Sequence, residues 1–306
     1  MTINGVIPPV VTPRRSTGEL DLDGLRLVIR RMLDAGVDGV FVLGSTGEVP
    51  YLSDLEREAV VSEAAAALQG EVPLYVGINQ PSVNRVVDEG RRLLAIAGDV
   101  AVVTMPYYAD HHPGDTLRHY AGVREGVEAP VMAYNIPVRT GHALNLDLVA
   151  RLAEDQSIVG IKDSSGNDVE LRRLILATRH IEDFSVLTGH EVVVDGALLG
   201  GAHGVVPGLG NVDPAGYVKL YRLARQGDWP QVAREQDRLA QLFGITQVAD
   251  PSIFSPTACG VGAFKTALKA LGVLSSNRMS EPMLALREQE QSQVEEILRS
   301  TMDGAD

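Results

Sequence analysis

Short apolar runs alternate along the chain with amphipathic stretches of helical length. The runs cover residues 5–12, 39–43, 73–78, 100–105, 130–135, 158–162, 184–188 and 204–207. They are rich in valine and isoleucine and show no strict polar alternation. This is the pattern of strands buried on both faces, as in a parallel sheet. Between and after them the pattern predicts helices over residues 22–35, from an N-cap at Ser53, and over 82–97, 116–125, 146–155, 168–179, 191–199 and 214–226. Ser53 and Glu56 have the spacing of a capping box. Eight strand–helix units at regular spacing predict an α/β fold: a (β/α)8 TIM barrel over residues 1–228. A doubly wound sheet would suit fewer strands and would tend to break into two domains. Residues 229–306 read as three helices without a strand, a C-terminal helical appendage, and the tail after Ser300 is expected to fray.

The sixth run ends in an anomaly. Ile158-Val159-Gly160-Ile161 leads into Lys162, and Asp163-Ser164-Ser165-Gly166 reads as the loop that follows. Lysine is scarce: Lys162, Lys219, Lys265 and Lys269 are the only four among 27 basic residues. Arginine stays protonated, whereas a buried lysine sheds its proton readily. A neutral amine can attack a ketone, and the protonated imine then acts as an electron sink. The alternative is a lysine whose ammonium reaches solvent at the strand end.

Composition narrows the partners. The chain has 306 residues and a net charge of -13. That balance argues against nucleic acid or an anionic membrane as the main partner. A local arginine or a ring of backbone N–H groups would still suffice for an anionic substrate. Cys259 is the only cysteine, so an intrachain disulfide is excluded and a cytoplasmic location is expected. Neither a leader peptide nor an apolar run long enough to span a membrane is read from the sequence.

Barrel active sites lie at the C-terminal ends of the strands, and polar motifs gather there. Gly44-Ser45-Thr46-Gly47-Glu48 follows the second run. Its glycines let the backbone present N–H groups as an anion-binding nest, with two hydroxyls beside them. A plain glycine-rich turn is the alternative. Pro106-Tyr107-Tyr108 follows the fourth run, and Tyr134-Asn135-Ile136-Pro137-Val138-Arg139-Thr140-Gly141 ends the fifth. Tyr134 suits proton transfer or a core tyrosine with a satisfied hydroxyl. Arg139 suits a bidentate carboxylate clamp or a solvated loop. Gly189-His190-Glu191 follows the seventh run, and both His190 and Glu191 could hydrogen-bond a polyol. The seven histidines show no metal-ligand spacing, which disfavours a zinc-dependent aldolase. Gly208-Leu209-Gly210-Asn211 weakly suggests a phosphate or flavin loop, a reading that leaves Lys162 unexplained.

Three of these motifs together resemble the dihydrodipicolinate synthase / N-acetylneuraminate lyase family of class I aldolases: Gly44 to Glu48, Tyr134 to Gly141, and Gly160-Ile161-Lys162-Asp163-Ser164-Ser165. The resemblance runs from about Gly5 into the C-terminal helices. It implies a barrel with a C-terminal helical domain, usually a homotetramer built as a dimer of dimers. It implies that Lys162 forms the Schiff base, that Tyr134 shuttles protons, and that no cofactor is needed beyond the covalent imine. Ser45 stands where the synthases usually have threonine. Tyr108 matches the tyrosine that crosses a subunit interface to complete the neighbour's relay. Thr46 would bind the pyruvate carboxylate, Arg139 the second substrate's carboxylate, and Val206 would lie beside the site. Gly262-Ala263-Phe264-Lys265 departs from the synthases' Pro-x-Lys element, and Gly189-His190-Glu191 departs from their Gly-Asp-Asp. The expected activity is condensation of pyruvate with aspartate semialdehyde. The alternatives are a 2-keto-3-deoxy sugar-acid aldolase or dehydratase, an N-acetylneuraminate-lyase-like aldolase, and a barrel that binds an oxo acid without turnover.

Overall fold

The computed structural model of the chain describes residues 2–302. The strands are β1 (Gly5–Val6), β2 (Val40–Val42), β3 (Leu74–Gly77), β4 (Val100–Thr104), β5 (Val131–Asn135), β6 (Gly160–Asp163), β7 (Ser185–Thr188) and β8 (Gly204–Val205). All pair in parallel, in the order β1-β8-β7-β6-β5-β4-β3-β2. β1 therefore lies beside β8, an order foreign to a doubly wound sheet. The sheet curls until its edges approach each other. Val10 N–H donates to Phe41 O (2.8 Å) and Phe41 N–H to Pro8 O (3.0 Å), with a parallel bridge between Pro9 and Phe41.

The helices are α1 (Leu22–Ala35), α2 (Asp54–Leu68), α3 (Val83–Leu94), α4 (Pro113–Gly126), α5 (Pro137–Thr140), α6 (Leu146–Glu154), α7 (Asp168–Thr178), α8 (Val194–Leu199), α9 (Pro214–Gln226), α10 (Trp229–Phe243), α11 (Pro256–Ala270) and α12 (Glu288–Met302). At α2 the capping box forms in full: Glu56 N–H donates to Ser53 Oγ and Ser53 N–H to Glu56 Oε2. None of the helices among the described residues is long and apolar enough to cross a membrane.

The two-residue period of the strands sorts the apolar runs into two cores. Val100 and Val102 of β4, Met132 and Tyr134 of β5 and Leu187 of β7 pack inside the curl with Ile7, Phe41, Tyr75 and Val206. Ala101, Val103, Val131, Ala133, Ile161 and Val186 belong to the larger core shared with the helices. In β6, Ile161 faces the helices, so Lys162 faces the interior layer. It pairs in register with Tyr134 on one side and Leu187 on the other.

Several boundaries differ from the sequence reading. β6 runs one residue past Lys162, because Asp163 pairs with Asn135 and Thr188. The first run yields only two ladder residues, since Pro8 and Pro9 have no N–H to donate. The helix expected from residue 191 begins at Val194, because Glu191 is held elsewhere. α12 continues through Ser300 to Met302, and the rest of the tail lies outside the described residues.

Asn211 ties the first and last units together. Its Oδ1 accepts from Val11 N–H (3.0 Å), and its Nδ2 donates to Pro9 O (2.8 Å) and Gly208 O (2.7 Å). The side chain is buried, so truncation strands three backbone groups. Asn211→Ala should lower the unfolding free energy by about 2–3 kcal/mol in a denaturant titration; an unchanged midpoint would show that water replaces the amide.

Candidate active site

A cavity of about 630 Å³ opens at the C-terminal ends of the strands. Lys162 from β6 and Tyr134 from β5 form its floor. Ser45 and Thr46 enter from the loop after β2, Gly189 and Glu191 from the loop after β7, and Val206 and Gly208 from the end of β8. Arg139 on α5 stands at one side. Thr257, Val261 and Phe264 of α11 complete the wall.

Lys162 is buried. Its Nζ lies 4.1 Å from the Tyr134 ring centroid and 5.2 Å from that of Phe41. The two rings meet edge to face at 6.2 Å, so each orients the other. The Tyr134 hydroxyl donates to Ser45 Oγ at 3.5 Å, a long contact of the kind that shortens in a substrate complex. An amine, a phenol and a hydroxyl thus follow one another from the strand to the loop. This is a sequence of groups that can form an imine and move its protons.

The loop after β2 spends part of its backbone on itself. Gly47 and Val49 N–H donate to Gly44 O, and Glu48 N–H to Ser45 O. The donors left to a ligand are those of Ser45 and Thr46, the two residues that line the cavity. Across the site, Glu191 accepts the Leu209 N–H. Burial pushes its carboxyl up to about 7, while the Leu209 N–H, the Lys162 charge and the Gly208 N–H pull the other way. Glu191 therefore occupies the donors that a phosphate loop after β8 would need, which removes the phosphate or flavin reading. Gly189 is small of necessity: a Cβ there would stand 2.1 Å from Ser164 Oγ and 3.2 Å from Lys162 Cε.

On the outer face of β5 and β6, Asn135 Nδ2 donates to Asp163 Oδ1 (2.6 Å), and Leu144 N–H donates to Asn135 Oδ1 (2.9 Å). This bracket fixes the two loops that leave Tyr134 and Lys162. Burial raises the Asp163 carboxyl, against hydrogen bonds from Asn135 and Ser165.

Residues 2–301 match the dihydrodipicolinate synthetase family. The chain belongs to that family. It is 35% identical over 226 residues to the 4-hydroxy-tetrahydrodipicolinate synthase of Methanoculleus marisnigri, covering 73% of this chain and 77% of the relative. It is 30% identical over 297 residues to the probable 2-dehydro-3-deoxy-D-pentonate aldolase YjhH of Escherichia coli K12, covering 96% of each. Among solved structures it is similar to YagE, a dihydrodipicolinic acid synthase family prophage protein of E. coli K12, determined in complex with pyruvate. The TM-score is 0.90 at 30% identity, covering 98% of each chain. Members of the dihydrodipicolinate synthetase family are class I pyruvate-dependent lyases and aldolases, and this chain is an enzyme of that kind.

The family's motifs converge in three dimensions. Lys162, Tyr134, Ser45, Thr46, Arg139, Val206, Gly189 and Glu191 all line the one cavity. His190 and Tyr108 do not. His190 turns away, its Nδ1 3.1 Å from Asp168 Oδ1, so of the two polyol candidates only Glu191 faces the site. Tyr108 is fully exposed on a left-handed backbone, φ 80°. Arg139 is engaged by α11: its Nη2 donates to Thr257 Oγ1 (2.7 Å). Sequence reasoning gave no role to Ser164, which lies within a motif it singled out, nor to Thr257, Val261 and Phe264. Thr257 and Val261 lie in no motif, Phe264 lies in the stretch that departs from the Pro-x-Lys element, and only the fold brings α11 over the strand ends.

The Glu191 carboxyl sets a pH dependence. Its folded value of about 7 lies above the ordinary 4.5, so the folded chain holds a proton that the unfolded chain releases. Glu191 therefore contributes stability that is complete below about 4.5 and lost as the pH rises through about 7. The thermal midpoint of Glu191→Gln should fall less steeply over that window than that of the unaltered chain. Equal slopes would place the titrating group elsewhere.

Proposed function

We propose that this enzyme is a Schiff-base lyase in which Lys162 forms an imine with pyruvate or a related 2-oxo acid. The Lys162 amine attacks the ketone carbon, and the carbinolamine loses water as Tyr134, coupled to Ser45, supplies the proton. Loss of a C3 proton gives the enamine. The enamine carbon attacks an aldehyde, the new alkoxide takes a proton, and water releases the product and regenerates Lys162. Cleavage is the reverse. The observation that carries this reading is the buried Lys162 amine beside Tyr134 in a cavity shared with Ser45 and Thr46. Thr46 and the free loop N–H groups suit the 2-oxo acid's carboxylate, and Val206 its apolar end. Carriage of the chemistry by lysine alone calls for no cofactor. A substrate-binding barrel without turnover would have no use for the Lys162–Tyr134 pair.

The scaffold is read as a (β/α)8 barrel, residues 1–228, with a helical appendage, residues 229–306. The assembly is read as a dimer of dimers, in which Tyr108 of one copy serves its neighbour. Two observations support this. Tyr108 is fully exposed, and Ser45 also borders a second cavity of about 420 Å³, with Asn79, Tyr107 and Arg139. That cavity gives a phenol from outside a route to the far side of Ser45. The single cysteine is consistent with a cytoplasmic enzyme.

For the second substrate, an aldehyde with its own carboxylate fits Arg139, whose guanidinium fork stands at the mouth. This favours the synthase reaction of pyruvate with aspartate semialdehyde. Glu191 carries a second reading, a hydroxylated aldehyde released from a 2-keto-3-deoxy sugar acid, because a carboxyl in the cavity beside Lys162 can bind hydroxyls.

Incubation with pyruvate and borohydride should add one adduct mass at Lys162, and Lys162→Ala should abolish it; an undiminished adduct in that variant would overturn the imine. The second substrate separates by mutation. With an acidic aldehyde, Arg139→Ala should raise the aldehyde KM by about one to two decades and leave pyruvate trapping intact, the loss of a charge-assisted hydrogen bond. Under the sugar-acid reading Arg139→Ala is nearly silent and Glu191→Ala is the damaging change.

A further inference from the structure

Lys265 of α11 and Glu48, the last residue of the loop after β2, form an ion pair in which both side chains are 0% exposed. Lys265 Nζ also donates to Arg278 O (3.0 Å), and Glu48 Oε2 accepts the Ser280 N–H (2.7 Å). Arg14 Nε donates to Ser280 Oγ (2.8 Å), and Thr12 Oγ1 donates to Gly47 O (2.7 Å). Burial pushes the Lys265 ammonium down, and Glu48 pulls it back.

Two features set this pair apart from a stability device placed at random. Buried ion pairs are a poor source of net stability, because desolvation offsets much of their attraction. Glu48 is also a non-glycine residue on left-handed backbone, φ 56°, a conformation that persists where surrounding structure imposes it. Three residues before it stands Ser45, and two before it Thr46. Their loop is otherwise held by its own turn hydrogen bonds and the Thr12 contact.

The geometry points to Glu48 and Lys265 as positioning residues: the buried pair fixes the loop so that Ser45 meets Tyr134 and the Ser45 and Thr46 donors face the 2-oxo acid's carboxylate. This inference rests on the proposed Lys162 imine reaction. Neither residue lines the main cavity beside Lys162, so both act through the loop. Through Lys265 the C-terminal helices become a condition for binding the first substrate.

The test compares the full chain with Glu48→Gln, Lys265→Met and the double variant. Borohydride trapping is titrated against pyruvate, and circular dichroism monitors the fold. Glu48→Gln is isosteric and keeps an acceptor for Ser280 N–H, while Lys265 can shed its proton. Its half-saturating pyruvate concentration should rise by about ten- to a hundredfold, the scale of a small displacement in a binding site. The extent of trapping at saturating pyruvate after long incubation should stay within about threefold, since Lys162 is untouched and the relay sets the rate of imine formation rather than its extent. The double variant should be no worse than the more impaired single, as expected of two residues acting through one contact. Wild-type half-saturation in folded Glu48→Gln, or additive losses in the double variant, would overturn the inference. If Lys265→Met does not fold, Glu48→Gln decides alone. Absence of trapping in the unaltered chain would overturn the imine reading and this inference with it.

Discussion

Lys162 points into the curled sheet because Ile161 before it points out toward the helices. That parity places an amine in a layer otherwise built from apolar side chains, Tyr134, Phe41 and Leu187 among them. Burying an amine there costs free energy that packing alone does not return. What surrounds it answers that cost: two aromatic rings flank the nitrogen, and the Glu191 carboxyl lies within electrostatic reach. The rest of the site follows from making room for this one side chain. Gly189 has no Cβ because Lys162 and Ser164 occupy the space, and β5 must offer Tyr134 in register with the lysine.

β6 supplies the buried amine, but the loops beside it are positioned from a distance. Asn135 and Asp163 bracket the two loops leaving β5 and β6 on the face turned away from substrate. Asn211 joins the start of the chain to the end of β8. Glu48 reaches into α11, more than two hundred residues further along the chain. The C-terminal helices thus do two things at once: they wall the cavity and anchor the loop opposite Lys162.

The same geometry separates chemistry from specificity. The dihydrodipicolinate synthetase family shares the lysine-based reaction, while its members named above differ in what they join or split. Here the amine and the phenol are buried, the loop hydroxyls are half-buried beside them, and the groups that could read a second substrate line the same cavity. Arg139 stands at the rim against Thr257. Glu191 sits further in, against the last strand's loop. A carboxylate and a polyol would be drawn to different sides of one cavity.

Much of this was legible in the sequence, because its signals are local. Apolar runs of strand length, helix caps and a lysine at the end of a valine-rich segment declare themselves within a few residues. The eight-unit alternation predicts the strand order's parallel character, and the polar residues after each run mark the face that carries the site. Gly-Ser-Thr-Gly-Glu, Tyr-Asn-Ile-Pro-x-Arg and Gly-Ile-Lys-Asp-Ser-Ser sufficed to point to the family. What the sequence could not place were side chains whose roles depend on partners far along the chain. His190 and Glu191 are adjacent and chemically alike as polyol ligands, yet one turns to Asp168 and the other to Leu209. Tyr107 and Tyr108 are indistinguishable by type, but one is half-buried beside Asn79 and the other wholly exposed. Lys265 lies in a stretch that departs from the Pro-x-Lys element, and nothing near it in the sequence points to Glu48 as its partner. Local pattern determines which face a residue occupies. Only the curling of the sheet and the docking of α11 decide what that residue meets there, because those contacts join segments that share no local pattern.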